Sequence, residues 1–201
     1  MVIIGGGDTG ADCLGTAHRQ KAAKVTQLEI MPEPGISRSQ NQPWPLYPNI
    51  FRVSSAHEEG GERRYSVNTR RFIGENGKLT GLEVEKVELI DGEFKPVENS
   101  LEIIPADYVF LAMGFTGPDL SWINKDLSIT QDERSNIARN ESFVTNQEGI
   151  FVCGDAGRGQ SLIVWAIAEG RSCAKYVDEF LMGKSQLPAP IGAFDRPLNL
   201  R

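Results

Sequence analysis

Residues 1–12 read MVIIGGGDTGAD, and the reading of this stretch decides the fold. Val2–Ile4 is a short β-branched apolar run with no polar alternation, which predicts a buried strand. Gly5, Gly6 and Gly7 predict a tight turn after it. Asp8 to Gln20 predicts a helix, with Ala11, Leu14, Ala17 and His18 spaced to face a sheet. Val25–Ile30 reads as a second strand. Strand, glycine-rich turn, helix and strand in this order form the first half of a Rossmann unit. Gly5, Gly7 and Gly10 match the spacing G-x-G-x-x-G. Such glycines permit the turn, a close approach of backbone to a pyrophosphate, and close helix–strand contact. The first helical turn, with Asp8 and Thr9, offers free N–H groups and the positive end of a dipole to phosphates. A bare glycine pattern also serves plain packing, but the strand and helix around it favour nucleotide binding.

Glu29 stands near the end of the second strand, about 20 residues beyond the fingerprint. An acid there accepts hydrogen bonds from the ribose 2′-OH of NAD and repels the 2′-phosphate of NADP. Arg38, in the following loop, could pair that phosphate. The balance favours NAD(H) over NADP(H).

Pro32, Pro34, Pro43, Pro45 and Pro48 forbid regular structure across residues 31–48, while Trp44, Leu46 and Tyr47 predict that this loop packs on the domain. A short helix is expected from Asn49 to Glu59, stopped at Gly60-Gly61. Arg64–Ile73, Leu79–Ile90 and Leu101–Ile104 read as strands, with turns at Glu75-Asn76-Gly77 and Asp91-Gly92. Residues 107–112 (DYVFLA) predict a buried strand that ends at Met113-Gly114. A short strand is expected at Asn136–Arg139 and a last buried strand at Gly149–Cys153. Gly154-Asp155 follows it, then a long helix from about Ser161 to Met182, closed by Gly183. Gly170 inside that helix suggests close packing. The tail from 184 to 201 is expected to be extended.

After their strands, Met113-Gly114 and Gly154-Asp155 form the third motif. Gly154 lets the chain turn sharply, and Asp155 can hydrogen-bond a ribitol or ribose hydroxyl. The helix beginning near Gln160, Ser161 and Leu162 can aim its N-terminus at an electron-rich flavin edge.

Composition narrows the classes. The 201 residues are 40% hydrophobic and 24% charged, with a net charge of −6, an ordinary soluble makeup. A general nucleic-acid or anionic-membrane surface needs a basic face, and no apolar run is long enough to span a bilayer. Cys13, Cys153 and Cys173 are too scattered for a disulfide framework or a metal site, and a cytoplasmic setting is expected. His57-Glu58-Glu59 reads as a solvated helix end, Cys153 as a buried structural thiol, and Trp165 and Ile167 as core.

The stretches VIIGGGDTGADCLGTAHR, EIMPEPGISRSQNQPWP, HEEGGERRYSVNTRRFIGENG, LAMGFTGP and GDAGRGQSLIVWAIAEGR together resemble the small (β) subunit of glutamate synthase. The resemblance runs from Val2 to about Met182 and places the chain among flavoproteins with two dinucleotide-binding domains. It implies an α/β fold: a Rossmann-like nicotinamide-binding domain over residues 1–112, the C-terminal segment of an FAD-binding domain over 113–183, and the tail. Hydride would pass from NAD(P)H to FAD. No side chain is needed as acid, base or nucleophile, so no catalytic residue is assigned. The family feeds those electrons to a large subunit that makes glutamate from glutamine and 2-oxoglutarate. Its cysteine-rich iron–sulfur region and first, FAD-type fingerprint have no counterpart here. The chain is therefore expected to be a C-terminal portion with an incomplete FAD site and some tendency to self-associate. Members with arginines just after the second strand differ from this chain, which has Met31-Pro32-Glu33. A binding or assembly module without turnover, and an electron-transfer subunit of another reductase, are the competing readings.

Overall fold

The structure, a computed structural model, describes residues 1–44, 46 and 48–196. The expectations for Pro45, Tyr47 and the tail beyond residue 196 lie outside the described residues. Two compact units divide the chain, residues 1–114 and, among the described residues, 115–196.

The first unit opens as its sequence suggests. β1 (Val2–Ile4) leads through the glycine turn into α1 (Asp8–Arg19) and then β2 (Thr26–Leu28). After the proline-rich loop come α2 (Ser55–Glu58) and β3 (Glu62–Arg64). The antiparallel strands β4 (Val67–Glu75), β5 (Lys78–Ile90), β6 (Glu93–Pro96) and β7 (Glu102–Pro105) follow, and β8 (Val109–Leu111) returns to β1. A parallel sheet of order β3-β2-β1-β8 results, with Val2 opposite both Thr26 and Val109. In the second sheet β4 pairs β5, whose N-terminal half pairs β7 and whose C-terminal half pairs β6.

Alternation along β1 builds the core on both faces of the parallel sheet. Val2 packs with Leu28, Val67, Leu82, Val84 and Ile104, which joins the two sheets. Ile3 faces the other way, onto Leu14 and Ala17 of α1 with Val25 and Ala112. Complete burial of a side chain such as Leu14 contributes about 1.5–3 kcal/mol. The two hairpin turns appear where expected. Asn76-Gly77 (φ +51° and +76°) and Asp91-Gly92 (φ +53° and +83°) both carry the paired positive φ of a two-residue hairpin.

Several expectations need correction. Residues 107–112 shrink to β8, whose Phe110 and Leu111 are exposed, because β8 is the edge of the sheet. The run from Arg64 to Ile73 is two strands, because Ser66 adopts φ +56° and turns the chain from one sheet into the other. The helix expected over residues 49–59 is only α2. Ser54 starts it through a reciprocal capping box with His57, and Phe51 N–H is already committed to Gly35 O at 2.8 Å. Trp44 is exposed rather than packed.

In the second unit α3 (Asp155–Arg158) precedes α4 (Ile163–Met182). The strands expected at 136–139 and 149–153 reduce to isolated bridges, Gln131 with Ile137 and Val144 with Phe151. Side-chain turns compete there: Asp132 Oδ1 accepts from Arg134 and Asn136 N–H, and Asn140 Oδ1 from Ser142 and Val144 N–H. Gly183 closes α4 at φ +76° as expected. Gly170 has open space rather than a close neighbour, and Ile167 is exposed rather than core. Phe143, Cys173 and Ala193 form the apolar core of this unit. Residues 184–196 contain neither helix nor strand, yet Ser172 Oγ, Arg139 and Arg158 bond their backbone at Ile191, Ala193 and Asp195. Among the described residues no helix is long and apolar enough to cross a membrane.

Candidate dinucleotide-binding site

The glycine turn sits where β1 ends, at the carboxyl edge of the parallel sheet. Gly5 adopts φ +127°, and a Cβ there would collide with the Ala112 carbonyl. A Cβ on Gly10 would collide with the Gly5 carbonyl and stand 2.5 Å from Gln27 Nε2. Both positions are closed to any side chain by neighbouring backbone. Gly7 differs, because nothing lies within 4 Å of where its Cβ would be. Its smallness leaves space outward, above the start of α1. No side chain caps that helix, so the N–H groups of Asp8, Thr9 and Gly10 point outward from its first turn.

Glu29 sits against the turn. Its Oε2 accepts from Gly6 N–H and its Oε1 from Met31 N–H, both at 2.8 Å. Two cavities meet at this carboxylate and at Gly6, Gly7 and Asp8. One, about 600 Å³, extends along Thr9, Val67, Thr69 and Phe72 to Met113 and Gly114. The other, about 580 Å³, is walled by Phe51, Arg52, His57, Arg63 and Tyr65. Arg63 stacks over Phe51 at 4.5 Å and donates to Arg52 O at 2.8 Å. Burial raises the Tyr65 hydroxyl above its ordinary pKa.

A relay supports the turn from beneath. Gln27, 2% exposed in the middle of β2, donates from Nε2 to Gly5 O at 2.8 Å. Its Oε1 therefore faces His57 Nε2 at 2.9 Å, which must carry the hydrogen. His57 Nδ1 is left to accept from Ser54. Burial, and then the charge of Arg63, hold His57 below the ordinary 6.5. His57 is thus a buttress of the glycine turn rather than a solvated helix end.

The turn, Glu29, Met113 and Gly114 come together in the first unit. Arg38 does not join them: its Nη1 donates to Gln42 O and Leu46 O, each at 2.7 Å, within its own loop. In the second unit Gly154 turns at φ +64°, and its N–H donates to Glu169 Oε2 at 2.8 Å. Asp155 is exposed, and α4 begins at Ile163, just past the expected start. Gln160, Ser161 and Leu162 line a cavity of about 710 Å³ together with Arg139, Arg158 and Trp165.

Beneath Gly154 lies a network that sequence reading missed. Glu169, fully buried, accepts from Arg139 at 2.7 and 2.8 Å and from Arg158 Nε at 2.7 Å. Burial pushes its carboxyl up, but Arg139, the Gly154 N–H and Arg158 outweigh this and lower it from 4.5. Cys153 is half-buried beside Cys173, whose thiol burial and that neighbour push up to about 12. Gln27 had a visible signal, a polar residue inside an apolar strand. Arg63 and Glu169 had none, because each matters through partners distant in sequence. Among the described residues no group of three or more His, Cys, Asp or Glu side chains could hold a metal ion.

Comparison with known proteins finds relatives of this chain. Over 198 residues, 98% of this chain and 41% of the other, it is 56% identical to "Glutamate synthase [NADPH] small chain" of Mycobacterium tuberculosis. Over 216 residues it is 42% identical to "Glutamate synthase [NADH]" of Saccharomyces cerevisiae, covering all of this chain and 10% of that one. The chain thus spans about two fifths of the mycobacterial relative's length. Among solved structures, the thioredoxin reductase of T. acidophilum shares the α/β fold with a TM-score of 0.59 at 22% identity, over 90% of this chain and 52% of that one. The family described as pyridine nucleotide-disulphide oxidoreductase matches residues 1–170, more than half of the sequence, and the chain belongs to that family.

Proposed function

We propose that this chain binds a nicotinamide dinucleotide across the Gly5–Gly10 turn, as the NAD(P)H-oxidising portion of a glutamate synthase small subunit. The observation that carries this reading is the meeting of two cavities at an uncapped helix N-terminus, with Gly7 open to the outside. A dinucleotide is two nucleosides joined at a diphosphate, and the site has two chambers joined at a phosphate-type turn. The N–H groups of Asp8, Thr9 and Gly10 hold the diphosphate, and Glu29 orients the adjacent ribose. Reduced nicotinamide, when bound, supplies a hydride that a flavin can accept.

For the flavin, the chain offers the exposed Asp155 carboxylate and the exposed start of α4 at Leu162, Ile163 and Val164. These suit a ribityl chain and an apolar ring system. Met113, Gly114 and Gly154 complete the set of contacts proposed for the two cofactors. Electrons then leave for a large subunit that forms glutamate, in a cytoplasmic setting.

Glu29 favours NAD(H), as the sequence suggests. Arg52 and Arg63, on the wall of the same chamber, favour a 2′-phosphate instead, and the mycobacterial relative is named for NADPH. Calorimetric titration with NADH and NADPH tests the reading. Saturable binding of either supports it, and their ratio shows which charge dominates. Failure of both to bind overturns it.

A further inference from the structure

Gly5, Gly6 and Gly7 stand in a row at the turn. Glycine has the widest choice of backbone conformation, so such a run does not hold one shape by itself. Two side chains, one within β2 and one just past its end, hold it. Gln27 Nε2 donates to Gly5 O, and Glu29 Oε2 accepts from Gly6 N–H, both at 2.8 Å. That carbonyl and that N–H belong to one planar trans peptide and point in opposite directions. The Gly5–Gly6 peptide is therefore clamped at both ends, with its carbonyl turned inward toward Gly10 and Gln27. Turned over, it would lose both bonds and set the Gly5 oxygen against the Glu29 carboxylate, where the two cavities meet. An oxygen aimed there repels an anion.

The orientation of Gln27 is set in turn from α2. Reversed end for end, its amide would put Oε1 against the Gly5 carbonyl. His57 Nε2, 2.9 Å from Gln27 Oε1, opposes that reversal, because its N–H needs an acceptor opposite it. Ser54 N–H and hydroxyl, 3.4 and 2.9 Å from His57 Nδ1, leave the ring hydrogen on Nε2. Gln27 is buried in β2, so bulk water does not compete for its amide.

We infer that Gln27 and His57 are positioning residues for the dinucleotide: through the Gly5–Gly6 peptide they hold the glycine turn in the shape that receives the diphosphate, an inference that rests on the dinucleotide reading above. A turn already held in its bound shape loses less freedom when the ligand arrives. Gln27→Met keeps the length of the side chain and removes its amide. His57→Leu removes the ring N–H, and His57→Gln returns an N–H donor. Calorimetry with NAD⁺ or NADP⁺, whichever the wild type binds more tightly, reads affinity apart from stability at a temperature where each variant is folded. Binding is expected to weaken about tenfold in Gln27→Met and His57→Leu and to stay within about threefold of wild type in His57→Gln. Adding His57→Leu to Gln27→Met should weaken binding no further, since His57 acts through Gln27. Amide NMR of the unliganded chain should show Gly6 and Gly7 moved in the two weak variants and near their wild-type positions in His57→Gln. If Gln27→Met does not fold, the two His57 variants carry the same comparison. Wild-type affinity in Gln27→Met or His57→Leu, whatever their melting temperatures, would make the relay a purely structural support and overturn the inference, as would additive losses in the double variant. A wild-type chain that binds neither NAD⁺ nor NADP⁺ would instead overturn the dinucleotide reading itself.

Discussion

Three glycines of one fingerprint do different work. Gly5 and Gly10 are packed against backbone, whereas Gly7 faces open space. Substitution separates these roles. Gly10→Ala forces a methyl group onto the Gly5 carbonyl and should cost about 1–3 kcal/mol of stability by thermal or denaturant unfolding. Gly7→Ala has room for its methyl group and should melt close to wild type. It places that methyl between the helix N-terminus and the diphosphate, so NAD⁺ binding should weaken by about tenfold or more. Unchanged NAD⁺ affinity in Gly7→Ala would show that the open face of Gly7 has no ligand role. The glycines were legible because their requirement is local and their spacing is fixed. The role of His57 was not, since its contact with Gln27 joins α2 to β2 across 30 positions. Arg38 looked available in the sequence, but two carbonyls of its own loop occupy it.

Among the elements, those bounded by local chemistry were the ones read well. β1, α1 and both hairpin turns follow from apolar runs and turn residues. β8 was misjudged because an apolar run does not reveal whether its strand is central or at an edge. α2 is short because Ser54 caps it late, and its purpose is tertiary: His57 reaches Gln27, and Gln27 holds the Gly5 carbonyl. That arrangement needs neutral His57, since Nδ1 must accept from Ser54. A histidine held below 6.5 in the folded state favours folding above that pH, and the contribution is lost as pH falls through the lowered folded value. Arg63 is the charged neighbour that reinforces this direction. Denaturant unfolding should therefore show stability falling on the acid side of about pH 6.5, and His57→Gln, which keeps an N–H donor, should flatten that part of the profile. An identical acid slope in the variant would remove His57 as its source.

Across the whole molecule, each unit has its own anchor. The first is centred on the parallel sheet, and the second on buried Glu169 with two arginines. Glu169→Gln leaves Arg139 buried with an uncompensated charge and should cost about 3–5 kcal/mol in unfolding of the second unit. Glu169 is held below 4.5, so its contribution is present above that pH and disappears as pH falls through the lowered folded value. No part of this network was legible in the sequence. Arg139 and Glu169 are 30 positions apart, and helical periodicity alone does not mark a buried carboxylate. The Rossmann order of elements was legible at this scale, as were the glycine turn and the Gly154-Asp155 corner, because each is set by a short contiguous pattern. In the proposed function, Gly5–Gly10 receives a dinucleotide diphosphate. Amide NMR of the labelled chain during titration with NAD⁺ tests it most directly. Saturable shifts are expected, largest at Gly6, Gly7, Asp8 and Thr9. Saturable binding with these amides unmoved, or no binding of NAD⁺ or NADP⁺ at all, would contradict it.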